Sequence, residues 1–157
     1  MAKVRPRRSS ARRNPQALPA VLYKALAPGI NGVDLGPMID QHGLDEDDDE
    51  DGYRASVGTN PLANGGAYFT LHESYAVTLA GNRHYARGIL VAVLDPVDFT
   101  AMCASGGILG DRALGHSYRV QPRAFPEFNA ATSPPAGRRG YYPPGSTLPS
   151  GTVVPAP

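Results

Sequence analysis

Residues 89–94 read ILVAVL, six apolar positions without a break, closed at once by Asp95-Pro96. Within HYARGILVAVL, residues 84–94, this is the strongest strand signal in the chain, and its unbroken apolar character places it centrally in a sheet. Whatever the chain folds into must therefore bury that strand. Asp95 or Pro96 then opens a short helix through Val97, Phe99, Met102 and Cys103.

A second unit, GGAYFTLHESYAVTLAG at residues 65–81, carries its own folding instructions. Ala67, Tyr68 and Phe69 suit a strand. Thr70 has the side chain of a helix N-cap, and Glu73 stands three positions later, which completes a Thr-x-x-Glu capping box. Tyr75, Ala76, Leu79 and Ala80 give the helix an apolar side, and Gly81 is expected to end it in the left-handed conformation. Residues 116–120, HSYRV, read as a last strand at a sheet edge, because Pro122 and Pro126 follow. The run AVLYKALA, residues 20–27, is a strand or one and a half turns of helix; periodicity does not decide at that length. Glycines and Pro28, Pro37 mark a loop up to residue 37, and YRASVGT, residues 53–59, reads as a short strand. The predicted class is α+β: a small, bent, mixed sheet with short helices, flanked by disordered tails.

The tails follow from composition. Residues 1–19 hold six Lys/Arg and no acid, and residues 132–157 hold seven prolines. Neither supplies the apolar surface that offsets roughly 1–2 kcal/mol of backbone entropy per ordered residue. The expected division is a basic arm at 1–19, one domain at 20–131 and a Pro-rich tail at 132–157. The net charge of +1 conceals a segregation, since residues 34–51 hold nine acids and no Lys or Arg. The basic arm, residues 3–13 above all, offers a nonspecific contact for nucleic acid or an acidic surface, or folds back on the acidic segment. The first 33 residues, free of acid, also fit loosely the composition of an organellar transit peptide, although Pro6, Pro15 and Pro19 interrupt any amphipathic helix. No run of 18 apolar residues and no signal-peptide core is present, so the expectation is a soluble protein, cytoplasmic or delivered without a classical signal peptide.

Most familiar chemical motifs fail on spacing. In the acidic run LDEDDDEDG, residues 44–52, Asp45, Asp47 and Asp49 alternate like calcium ligands. The obligatory glycine is Glu50, and the bidentate carboxylate position is Ser56. His72-Glu73 is followed at the second zinc-ligand position by Ala76, so no His-Glu-x-x-His site exists there. There is no phosphate-binding glycine loop and no nucleophile elbow. Cys103 is the single cysteine, which removes intrachain disulfides, and beside Met102 it reads as a small buried hydrophobe.

The polar residues left over sit at suggestive places. Arg54 follows Tyr53 in a predicted strand, Thr70 and His72 stand at a strand-to-helix corner where N–H groups favour an anion, and Glu127 lies beyond the last strand. The order of these elements resembles the small ADP-ribosyltransferase-like toxin and effector domains of bacteria, over residues 53–128. In that family an early strand bearing Tyr-Arg or a related pair precedes a Gly-rich loop, a strand ending in an aromatic and Ser or Thr, a helix with an Ala-rich face, and a central apolar strand. The resemblance implies NAD as the ADP-ribose donor and a macromolecular acceptor. Arg54 and Tyr53, with Thr70 and Tyr68, would bind NAD; Glu127 and His72 would be catalytic. The chain lacks the Ser-Thr-Ser-like element and the paired Glu-x-Glu or Gln-x-Glu signature of that family. A rival class is a nonenzymatic virion, particle or scaffold protein, whose basic arm holds nucleic acid or neighbouring subunits with a steep salt dependence.

Overall fold

The computed structural model describes residues 18–28, 35–44, 66–111 and 117–157. In chain order the elements are β1 (Ala20–Ala25), α1 (Leu35–His42), β2 (Ala67–Thr70), α2 (Glu73–Ala80), β3 (Ile89–Leu94), α3 (Pro96–Ala104), β4 (Ile108–Asp111), β5 (Ser117–Val120), α4 (Phe125–Ala131) and β6 (Arg138–Tyr142). The strands form one six-stranded sheet in the order β4-β5-β2-β1-β3-β6. The fold is α+β, as composition and pattern predict. Every described strand pair is antiparallel.

Every residue of β3 is buried. Leu90, Ala92 and Leu94 point into one core cluster with Leu22 of β1 and Leu26 just after it, while Ile89, Val91 and Val93 point into a second cluster on the opposite face. Each large apolar side chain removed from water in this way contributes about 1.5–3 kcal/mol. The first face is covered by α1, α3 and α4, through Leu35 and Ile39, Met102, and Phe125 and Phe128. Phe128 meets Phe69 of β2 at a ring-centroid distance of 5.3 Å. The second face is covered by α2, through Ala76 and Ala80, together with Leu148 and Val154 near the C-terminus.

That last pair revises the domain boundary. The Pro-rich segment at 132–157 is part of the domain, because β3 needs a neighbour on its second edge and RRGYY supplies it, with Val91 opposite Gly140. Its prolines flank β6 and do not interrupt it. Gly137 makes the approach possible: a Cβ there would come within 2.2 Å of the Ala131 carbonyl oxygen and 2.3 Å of that of Val93. Arg139 secures the junction by donating from Nη1 to the Asn129 carbonyl at 3.0 Å and to Thr132 Oγ1 at 2.7 Å, near the C-terminus of α4.

Other boundaries moved for local reasons. Residues 35–37, read as the end of a loop, begin α1, whose Leu35 and Ile39 share one buried side. Residues 117–120 are not an edge, since β4 pairs outside them; Pro122 begins a 3₁₀ turn once the strand has ended. The N-terminus of α3 is as expected, with Asp95 Oδ1 accepting from the Val97 N–H at 2.8 Å and Pro96 in the first turn. The N-terminus of α2 is not. His72 is its N-cap and Glu73 its first helical residue, whereas Thr70 ends β2 and its Oγ1 accepts from the His72 N–H at 3.0 Å. Gly81 closes α2 at φ −77°, a right-handed conformation. The expected strand at 53–59 and the acidic run at 45–51 lie outside the described residues.

Candidate functional site

The register of the sheet aligns Ser117, Thr70, Tyr23, Val91 and Gly140 across five strands, so all five project from the same face, the one covered by α2. Thr70 and Ser117 are buried, Thr70 at 3% exposure. Beside this row an open cleft of about 140 Å³ has Val21, Val91 and Val93 as an apolar floor, Tyr23 and Tyr142 as aromatic walls, and Glu73, Arg138 and Ser150 among its polar residues.

Glu73 is the centre of this arrangement. As the first residue of α2 it stands at the positive end of the helix dipole. Its Oε1 accepts from Ser150 Oγ at 2.8 Å and from Thr152 Oγ1 at 2.9 Å. Tyr23 also hydrogen-bonds to it; burial first, and then the charge and hydrogen bond of Glu73, raise the phenol above its ordinary 10.0. The cleft thus joins a carboxylate, a phenol that keeps its proton and, at the rim, the exposed guanidinium of Arg138. A carboxylate so placed can accept from ligand hydroxyls, stabilise developing positive charge or take a proton.

The residues singled out from sequence divide. Thr70 and Tyr68 both lie on β2, and their side chains project from the Tyr23 face; Tyr68 is half-buried opposite Arg119. His72 is exposed at the corner and contributes its carbonyl, which accepts from Tyr75 and Ala76. Glu127 does not join them. Pro126 is accommodated in the first turn of α4, which places Glu127 exposed on a helix that packs against the other side of the sheet, so it cannot serve with Thr70 in one cleft. Tyr53 and Arg54 lie outside the described residues. Glu73 was legible only as a capping residue, and Arg138, Tyr142 and Ser150 lay in the segment read as a tail. The aromatic pair Tyr141-Tyr142, a residue type suited to strands, was the local signal of a strand there.

A second unusual side chain faces the opposite way. Lys24 alternates with Leu22 and Leu26 toward the first core cluster, is 6% exposed, and places Nζ 3.4 Å from the Tyr68 carbonyl oxygen. Burial lowers its ammonium from 10.5 to about 8. Among the described residues no group of three or more His, Cys, Asp or Glu is placed to hold a metal ion, and no helix is long and apolar enough to cross a membrane.

Fold and cleft together define an α+β domain whose antiparallel sheet carries a small carboxylate-bearing cleft on one face. No family model matches the chain, and no curated protein or solved structure matches it.

Proposed function

We propose that this domain is an ADP-ribosyltransferase-like enzyme that transfers ADP-ribose from NAD to a macromolecular acceptor, with its reaction centre at Glu73. The observation that carries the reading is the Tyr23–Glu73 pair over an apolar floor, beside the strand that ends in Phe69-Thr70. The strand that carries Tyr23 is hydrogen-bonded directly to β2.

In the reaction the bond between the ribose anomeric carbon and the nicotinamide nitrogen breaks, and nicotinamide leaves with the electron pair. The Glu73 carboxylate stabilises the positive charge that develops on the ribose and takes the proton of the acceptor group as its bond to the anomeric carbon forms. Arg138 is the diphosphate contact. At about 140 Å³ the cleft is smaller than the roughly 300–1,000 Å³ of sites that enclose drug-sized ligands, so it would hold the nicotinamide riboside end only.

Purified protein incubated with isotopically labelled NAD and a cell extract is expected to transfer label or release nicotinamide, and Glu73→Gln to abolish both. Silence across several extracts, with no NAD binding by calorimetry, would overturn the reading. High-mass assemblies, or salt-sensitive nucleic-acid binding lost on deleting residues 1–15, would favour the particle class instead.

A further inference from the structure

Residues 145–154 form a hairpin laid over the sheet. Gly145 N–H donates to the Val154 carbonyl and Val154 N–H to that of Ser146, both at 2.8 Å; Leu148 N–H reaches the Thr152 carbonyl and Gly151 N–H that of Leu148, also at 2.8 Å. Its two anchors are unequal to its tip. Leu148 and Val154 are buried against α2 and β3, whereas Pro149, Ser150 and Gly151 are exposed. Gly151 sits at φ +96°, a backbone state that glycine adopts without strain.

The tip hydroxyls do something the fold does not require. Water could satisfy both, yet Ser150 Oγ and Thr152 Oγ1, 3.2 Å apart, converge on the same oxygen of Glu73. They take up acceptor capacity that a ligand hydroxyl would need, and Pro149 and Ser150 line the cleft. We infer that the hairpin tip, Pro149 to Thr152, is a built-in competitor for the Glu73 site: closed, it holds the carboxylate, and a ligand binds only to the population in which the tip has lifted. The inhibitory role rests on the reading of Glu73 as ligand-binding; the opening of the tip does not. Affinity is lowered by the fraction of molecules that are open, so weakening closure strengthens binding.

Ser150→Ala/Thr152→Val removes both hydroxyls from non-core positions, and its circular dichroism spectrum is expected to match the parent's. Amide hydrogen exchange by NMR reads the opening directly. Leu148 and Gly151 amides are expected to exchange at least about 100-fold faster than those of Val91 and Val93, and about tenfold faster again in the double variant. Equal protection of tip and β3 amides, or no acceleration in the variant, overturns the opening. NAD turnover reads the inhibition: the double variant is expected to be several-fold more active, and unchanged or lower turnover with accelerated exchange overturns the inhibitory role. No turnover by either protein overturns the transferase reading and the inhibitory role together, and leaves tip opening to be judged by exchange alone.

Discussion

Replacing Lys24 with methionine is expected to stabilise the protein at neutral pH, and to do so by an amount that pH can switch off. The side chain is 6% exposed and faces Leu-rich core, and its ammonium meets one carbonyl oxygen at 3.4 Å. Among the described residues, a charged amine so placed has surrendered most of its hydration for a single long contact. The consequence is a folded-state value of about 8 against 10.5 for an exposed lysine. Between those two values the unfolded chain binds more protons than the folded one, so wild-type stability rises with pH through the window and levels off above it. The slope is at most about 1.4 kcal/mol per pH unit, which over this window amounts to roughly 3 kcal/mol. For a domain stable by about 5–15 kcal/mol that is a large share. Methionine keeps the unbranched apolar stem, one atom shorter, and removes the charge. Urea denaturation followed by circular dichroism at intervals from pH 6 to 11 should show Lys24→Met more stable by up to about 3 kcal/mol near pH 7, less the small loss of the bond to Tyr68. The two curves should converge as pH approaches 10.5. A difference that does not vary with pH, or a variant less stable at pH 7, would refute the reasoning, because either result requires the ammonium to be well solvated or paired in the folded protein.

Three further outcomes follow from single sites. Asp95→Ala should cost about 1 kcal/mol in urea denaturation, since it removes the acceptor for the Val97 N–H at the start of α3. Gly81→Ala should be tolerated and raise stability by about 0.4–1 kcal/mol in the same assay, because φ is −77° and the nearest atoms to a new Cβ are the Thr78 carbonyl oxygen at 3.5 Å and the Pro155 ring at 3.7 Å. A marked loss would mean that the helix ends in the left-handed state after all. Glu73→Gln should shift one phenol titration, that of Tyr23, back toward 10, seen as a lower-pH component in the ultraviolet difference titration of the variant against the parent.

What the sequence made legible were the features whose cause is local. The apolar run of β3 demands burial on two faces, and Asp95-Pro96 prescribes a helix start, so both were found. The strand-to-helix corner at Thr70 was found too, but its register was not: Thr and Glu at the right spacing satisfy a capping box on paper, while pairing of Thr70 with Tyr23 and Ser117 keeps that threonine in the sheet. A two-residue shift resulted. Tertiary pairing overrode local propensity, and the residue that would have closed the cap became free to face a cleft.

Composition misleads at the Pro-rich segment for a related reason. Composition averages over 26 residues, whereas sheet pairing needs only the five of RRGYY to be free of proline, and the two anchors Leu148 and Val154 to reach apolar surface. Once that segment is folded, the meaning of Glu73 changes. Its partners Ser150 and Thr152 are 77 and 79 residues away in sequence, and Tyr23 is 50 residues away on the other side, so no local pattern can reveal the cluster. The four side chains meet because β1 and β3 lie side by side in the sheet, α2 starts above them, and the hairpin after β6 folds back over the same face. A carboxylate at a helix start is ordinary. One that gathers two hydroxyls and a phenol from two distant segments, beside an apolar floor, is a polar junction that only the folded chain assembles.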